Sequence, residues 1–117
     1  MKMYGIKTCA SVKKAKAFFD ENNISYEFID LNKTPVGKEK IEQWQGFTPA
    51  VSMLNPRSKV YRDLDLKNKK PTEKKAFSII EKDNGILKRP VLEHGLDGEE
   101  KFTIGFNEEE YKSTFLS

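Results

Sequence analysis

The sequence has little cysteine: Cys9 is its single one among 117 residues. One cysteine cannot form a disulfide within the chain, which is typical of proteins in a reducing, cytoplasmic compartment. Long apolar runs are missing too, since nothing approaches the ~18 residues that span a bilayer and the first residues lack a secretory signal. These absences predict a cytoplasmic protein that has no contact with a membrane.

A strong charge of one sign is also missing. The formal net charge is +3, and the lysines are spread along the chain, so we expect no direct nucleic-acid binding. No cluster of His, Cys or carboxylates has metal-ligand spacing, and we expect no metal. What is present is aromatic: eight Phe, four Tyr and one Trp can fill one core, which predicts a single domain over residues 1–117.

The N-terminal residues predict a strand, a helix and a second strand. The strands are expected over residues 2–6 and 24–31, where β-branched and aromatic residues are frequent. Between them, apolar residues recur at helical spacing up to Asn22. This order predicts a βαβ unit with parallel strands and a right-handed crossover.

Residues 34–85 lack a strand pattern and predict an all-helical insertion. One helix is expected to begin at Thr34 and Pro35, and others to cover residues 50–54, 60–66 and 72–82. Trp44 and Phe47 are expected to lie in the core of this insertion.

The C-terminal residues predict two strands and a helix. The strands are expected over residues 91–92 and 101–105, joined by a turn over 94–100 that leaves His94 exposed. Asn107 is a candidate N-cap for the final helix, with Phe106 packing onto Tyr111.

Together these elements predict an α/β, thioredoxin-like fold of the order βαβ…ββα. Its mixed four-stranded sheet is expected to form a core from residues 1–33 and 86–117, with the helical insertion at residues 34–85 between the two halves.

Cys9 is placed where the first predicted strand turns into the first predicted helix. Free N–H groups and the helix dipole favour an anion there, so a thiol pKa of ~8.5 can fall to roughly 3.5–7.5. Thr8 and Ser11 add hydroxyls that can donate to a sulfur anion, and Lys7 and Lys13 add positive charge. The position therefore favours a reactive thiolate over a buried structural thiol.

Arg89 and Pro90 precede the third predicted strand. Proline lacks a backbone donor and suits a strand start, and Pro90 is a structural cis-proline candidate. A cis bond would turn Arg89 toward the cysteine loop, where its guanidinium could pair with a thiolate or bind an anion. The alternative is a surface arginine beside a structural proline.

Four segments in order resemble the ArsC/Spx family over nearly the full length. They are YGIKTCASVKKAKAFF (residues 4–19), RSKVYRDL (57–64), LKRPVL (87–92) and IGFNEEEYKSTF (104–115). The family contains thioredoxin-fold arsenate reductases, the Spx and MgsR transcription regulators, and glutathione-dependent reductase-like members.

The resemblance implies a chemistry for this chain. Cys9 would be the nucleophile and Arg89 its anion-binding partner, with Thr8 and Ser11 holding the sulfur. Arg57 in the insertion would bind substrate or a partner, unless it only solvates the surface. No cofactor is implied to be bound; glutathione or another small thiol would be the cosubstrate, and glutaredoxin or thioredoxin the reductant.

The chain also departs from the family pattern. Val12 stands where redox-sensing Spx proteins carry the second cysteine of a C-x-x-C pair, which excludes an internal disulfide switch. Arsenate reductases of the family use two further arginines, and those positions fall near Val51 and Gly105. The arsenate site is therefore only partly carried over.

Three functions stay open at this point. The first is a thiol-dependent reductase acting on arsenate, a disulfide or another oxyanion. The second is an Spx-like regulator that docks on the RNA polymerase α subunit. The sequence ends at Ser117 without the longer basic tail of typical Spx proteins, which favours the reductase. The third is a former enzyme that keeps the fold without catalysis.

Overall fold

A computed structural model describes residues 1–96 and 98–116 of the chain. In this part of the chain the elements follow the predicted order of βαβ, helices and ββα. They are β1 (Lys2–Gly5), α1 (Ala10–Glu21), β2 (Glu27–Asp30), α2 (Lys38–Gln45), α3 (Ala50–Met53), α4 (Lys59–Asp63), α5 (Leu66–Lys69), α6 (Glu73–Lys82), a 3₁₀ turn (Asn84–Ile86), β3 (Val91–Leu96), β4 (Glu99–Ile104) and α7 (Glu108–Phe115).

The chain divides into two compact units. The first comprises residues 1–29 and the chain from Arg89 onward, and the second comprises residues 30–88. No helix among the described residues has both the length and the apolar character needed to cross a bilayer.

The sheet of the first unit is mixed and four-stranded, with the order β2-β1-β3-β4. β3 runs antiparallel to both of its neighbours: Leu92 lies opposite Met3 of β1 and opposite Thr103 of β4. This arrangement confirms the predicted α/β, thioredoxin-like fold.

The core of the first unit is built around the apolar face of α1. Val12, Ala15, Phe18 and Phe19 are all buried, as their helical spacing predicts. The Phe19 ring is fully buried, stacked on Tyr111 at 5.5 Å between centroids. Two more rings meet Phe19 edge-on, those of Phe18 at 5.6 Å and Phe115 at 5.1 Å.

The start of α7 matches its predicted cap. The Asn107 side chain accepts a hydrogen bond from the Glu110 N–H at 2.9 Å. The rings of Phe106 and Tyr111 lie 4.9 Å apart, and the Tyr111 hydroxyl donates to the Gly105 carbonyl at 2.7 Å. These contacts confirm both the N-cap and the aromatic staple. The sequence could predict them because each joins residues that are close along the chain.

The prediction that His94 is an exposed turn residue was wrong. His94 lies within β3, half-buried, with Nε2 2.8 Å from the Thr103 hydroxyl and its ring 4.9 Å from that of Phe115. The β3–β4 hairpin is longer than predicted, and Asp97 of the predicted turn lies outside the described residues. Burial, followed by the positive charges of Lys101 and the N-terminus, lowers the pKa of His94.

In the second unit, α2 begins later than predicted. Its N-cap is Gly37, and Thr34 lies before the helix. The reason is a distant contact: the Val36 N–H donates to Asn84 Oδ1 at 2.6 Å, and the Val36 carbonyl accepts from Asn84 Nδ2 at 3.2 Å. Asn84 is itself buried and pairs with this segment across 48 positions of sequence, which holds residue 36 out of the helix.

Two further expectations for the insertion were also wrong. The single helix expected over residues 60–66 is split into α4 and α5, because Asp65 adopts a left-handed conformation at φ 53°. Trp44 is fully buried as predicted, but Phe47 is 50% exposed. Helical spacing alone could not distinguish the two rings, since Phe47 lies beyond the end of α2.

Glu73 ties three elements of the second unit together. Its Oε2 accepts hydrogen bonds from Gln45 Nε2 at 2.8 Å and from the Ala50 N–H at 2.7 Å, and its Oε1 accepts from the Val51 N–H at 3.1 Å. Slight burial acts to raise the pKa of this carboxyl, but the hydrogen bonds from Ala50, Val51 and Gln45 outweigh it and lower the pKa. The carboxylate thus caps α3 from the start of α6.

We expect Glu73→Gln to destabilise the protein by about 1 kcal/mol at pH 7, the usual cost of a lost helix cap at an exposed site. Because the folded-state pKa is lowered, this contribution is present above the unfolded carboxyl pKa and is lost as pH falls through the folded value. Urea unfolding at neutral and at acidic pH measures the difference. Glu81→Gln, on the same helix and exposed, is the matched control and should change little at either pH; an equal loss in both variants contradicts the capping role.

Candidate active site

Cys9 stands at the junction between β1 and α1. It is the N-cap residue of α1, with extended backbone angles of φ −72° and ψ 127°. Its N–H donates to the Ile6 carbonyl at 3.0 Å, and its carbonyl accepts the Lys13 N–H at 3.1 Å. A Cβ on Gly5 would lie 2.7 Å from Val12 Cγ2, so glycine allows the strand end to pass close to the helix.

The Cys9 thiol is half-buried and packs against the core cluster of the first unit. Its partial burial acts to raise the thiol pKa. The backbone N–H groups of Val12 and Ser11, then the positive charge and side-chain hydrogen bond of Arg89, act in the opposite direction. The net effect is a Cys9 pKa below its ordinary value, so the thiolate is favoured.

The N–H donors occupy the positions expected of a helix start. An N-cap side chain typically accepts from the second and third residues of the helix, and these are Ser11 and Val12. The Cys9 side chain makes no capping hydrogen bond of full geometry, as expected for a large sulfur atom, but both N–H groups stabilise its anion. Val12 also belongs to the buried apolar face of α1, and its place three residues after the N-cap is the sequence signal for this second role.

Thr8 and Ser11 lie on either side of this junction. Thr8 is exposed in the turn before α1, and Ser11 is half-buried in its first turn. Within residues 1–96 and 98–116, the groups that lower the thiol pKa are the N–H groups of Ser11 and Val12 and the side chain of Arg89. The sequence-based role of the two hydroxyls stays a prediction.

Arg89 and Pro90 lead into β3, beside the cysteine junction. Pro90 is buried, the Arg89–Pro90 peptide bond is cis, and the Pro90 carbonyl accepts the Gly105 N–H at 2.8 Å. Arg89 is half-buried, and its guanidinium interacts with Cys9 both by charge and by a hydrogen bond. The structure therefore brings together Cys9 and Arg89, two residues 80 positions apart in the sequence.

Arg57 belongs to the second unit. It is exposed in the turn before α4, where its N–H donates to Asn55 Oδ1 at 3.0 Å. Val51, at one of the positions where the resembling arsenate reductases have arginine, is 39% exposed in α3. Gly105, at the other, has a positive φ of 81° that favours glycine. The role of Arg57 in binding stays a prediction.

In the part of the chain that the structure describes, no three His, Cys, Asp or Glu side chains are grouped so that they could hold a metal ion. The groups that act on the Cys9 sulfur are the Arg89 side chain and the backbone N–H groups of Ser11 and Val12.

Comparison with known proteins identifies the family. The sequence profile of the ArsC family matches residues 4–114. The chain belongs to the ArsC family. This confirms the resemblance carried by the four sequence segments.

Relatives of this ArsC-family chain include transcriptional regulators and arsenate reductase-related proteins. It is similar to Global transcriptional regulator Spx 1 of Oceanobacillus iheyensis, with 30% identity over 112 residues that cover 94% of this chain and 82% of the relative. Among solved structures it is similar to an arsenate reductase (ArsC) related protein from Brucella melitensis, with 28% identity, a TM-score of 0.75 and coverage of 97% and 92% of the two chains. A possible arsenate reductase from Streptococcus mutans matches with 26% identity, a TM-score of 0.74 and coverage of 95% and 96%.

Proposed function

We propose that this ArsC-family protein is a thiol-dependent reductase whose nucleophile is the Cys9 thiolate. The observation that carries the proposal is the position of the half-buried Cys9 thiol at a helix start beside the guanidinium of Arg89. The N–H groups of the helix start and the guanidinium together lower the thiol pKa. The thiolate is the form of cysteine that attacks sulfur and other electrophiles. A lowered pKa raises the fraction of that form at neutral pH.

The proposed reaction is thiol–disulfide exchange with a disulfide that contains glutathione. Cys9 Sγ attacks the glutathione sulfur, a new S–S bond joins the two, and the electron pair of the broken bond leaves with the other sulfur as a thiolate. The chain has no second cysteine that could resolve this mixed disulfide. The thiolate of glutaredoxin, thioredoxin or another small thiol then attacks the glutathione sulfur and releases Cys9 as a thiolate, so the reductant supplies both electrons.

A disulfide suits this site better than arsenate does. Of the three arginines implied by resemblance to arsenate reductases, Arg89 is present, whereas Val51 and Gly105 stand near the other two positions. A tetrahedral oxyanion needs several donors around it, but attack on a disulfide needs an ionised sulfur and one cation to hold a thiolate. We place this chemistry in the cytoplasm, where glutathione keeps thiols reduced.

Arg89→Gln is expected to raise the pKa of the Cys9 thiol, because the substitution removes a positive charge and a charged donor beside the sulfur. The rate of alkylation by iodoacetamide, measured against pH on the full chain, reports this pKa. At neutral pH the variant should be alkylated several-fold more slowly than the wild type. Arg62→Gln, at an exposed arginine of α4, is the matched control and should leave the profile unchanged.

The same titration tests the proposed function itself. A wild-type pKa at or above the ~8.5 of free cysteine would mean that the site does not activate its sulfur. A wild-type pKa that is low but unchanged by Arg89→Gln would leave the backbone N–H groups as the cause and remove Arg89 from the mechanism.

Similarity to Spx 1 supports a second candidate, a regulator that docks on the RNA polymerase α subunit. Such a role needs a surface and not a thiolate. A complex of the purified chain with the α subunit that forms equally well with wild type and Cys9→Ser, together with no reductase turnover, would favour the regulator.

A further inference from the structure

Positive charge is concentrated in the second unit. Residues 30–88 contain thirteen Lys and Arg against eight Asp and Glu, whereas the whole chain carries a net charge of only +3. The rest of the chain is therefore slightly acidic, and the excess of cations lies in the helical unit that the proposed reductase chemistry does not use.

Part of this charge surrounds an apolar groove of about 350 Å³ between the α4–α5 segment and α6. Its floor includes Leu64 and Ile79, and its rim carries Lys69, Lys75 and Lys82. We call the groove lined by these residues the lysine groove. Leu64 is 43% exposed, which leaves apolar surface uncovered at the groove. The one acidic lining residue, Asp83, has its Oδ1 occupied by the Gly85 N–H at 2.8 Å.

A second hollow of about 370 Å³ adjoins the lysine groove, sharing Leu66 and Pro71 with it. Its rim also carries three lysines, Lys67, Lys70 and Lys88. The two hollows have the same character, apolar below and cationic at the edge.

These lysines are not neutralised locally. Among the described residues, the ion pairs of lysine involve other positions, such as Lys38 with Glu42 and Lys59 with Asp63. None of the six rim lysines is within ion-pair distance of a described carboxylate. The rim therefore presents net positive charge to whatever covers the apolar floor.

We propose that the lysine groove and the adjoining hollow bind an acidic, amphipathic segment of a partner protein. One apolar side chain of the segment occupies each hollow, and its Asp and Glu side chains meet the lysines at the rim. Charge complementarity selects the acidic partner, and the pairing of two similar hollows favours a peptide segment with two apolar side chains over a single small molecule, which would fill only one hollow. This surface is independent of Cys9 and of the proposed reductase.

The test is an NMR titration of the full ¹⁵N-labelled chain with a synthetic peptide. The peptide carries leucines at helical spacing, and glutamates occupy positions between them. We expect saturable shift changes confined to the residues that line the two hollows, which lie between Val51 and Lys88, and weaker binding at high ionic strength. Peptides with Leu replaced by Ser, or with Glu replaced by Lys, should bind at least about tenfold more weakly if both apolar anchors and acidic charge are needed.

Two variants of the protein locate the binding. Lys69→Glu combined with Lys75→Glu should weaken the peptide about tenfold, and Leu64→Ser several-fold; all three side chains are exposed, so the fold should persist. Lys14→Glu combined with Lys33→Glu makes the same change in net charge outside the groove and should alter affinity far less. Equal weakening by both pairs, or no saturation by the peptide, overturns the proposal. Binding of decanoate or of anionic vesicles in place of the peptide also overturns it, by assigning the groove to a lipid.

Discussion

Cys9→Ser is expected to abolish reductase turnover, by on the order of a thousandfold or more, as removal of a catalytic nucleophile does. A serine hydroxyl does not ionise near neutral pH and cannot form a disulfide with glutathione. Oxidation of NADPH in an assay coupled through glutathione and glutathione reductase, with a model disulfide as substrate and the rate without the protein subtracted, measures the loss. Arsenate in the same assay tests whether the single arginine beside the sulfur suffices for an oxyanion.

The matched control restores a thiol at a different place. Ser25→Cys in the Cys9→Ser background supplies an exposed cysteine away from the start of α1. Without the helix N–H groups and Arg89, this thiol should leave turnover near the level of Cys9→Ser. Wild-type turnover by Cys9→Ser alone would show that the nucleophile has been wrongly assigned. Recovery in the double variant would show that any thiol suffices.

Phe19→Ala is expected to cost about 3–5 kcal/mol in free energy of unfolding, the usual range for removing a buried aromatic side chain. Phe19 is fully buried and contacts four other rings, so its loss leaves a cavity that several elements line. A domain of this size has only about 5–15 kcal/mol of stability, so the variant should be close to unfolding. Urea denaturation followed by far-ultraviolet circular dichroism measures the change.

Phe47→Ala is the matched control, because it removes the same atoms from a side chain that is 50% exposed. Its cost should be about 1 kcal/mol or less, as for most surface substitutions. Similar losses in the two variants would contradict the assignment of Phe19 to the centre of the core and of Phe47 to the surface.

The elements that were predicted correctly are those that neighbouring residues decide. The apolar face of α1 follows from the spacing of Val12, Ala15 and Phe19, and the start of α7 follows from Asn107 and Phe106. In each case the stabilising contacts join residues a few positions apart, so the pattern in the sequence contains the information.

The elements that were predicted wrongly are those that distant residues decide. The late start of α2 depends on hydrogen bonds from Val36 to Asn84, and the burial of His94 depends on Thr103 and Phe115. No local pattern marks these partners. The break at Asp65 is similar, since a non-glycine residue with positive φ has no clear signature in one sequence.

The candidate site, like the fold, was predictable only in part from the sequence. The position of Cys9 between a strand and a helix located the sulfur, and Pro90 drew attention to Arg89 before β3. The sequence could not show that the backbone N–H groups of Ser11 and Val12 act on the sulfur, because only the orientation of the first helical turn decides this.

The location of Cys9 at the first turn of α1 bears on how the catalyst is regenerated. A sulfur whose anion is stabilised attacks as a thiolate, and it is also the better leaving group when a second thiol attacks the disulfide that it has formed. In the proposed reaction, the same few donors would therefore shorten the lifetime of the glutathione adduct as well as speed its formation. Covalent occupation of this cysteine is then expected to be brief wherever reductant is plentiful.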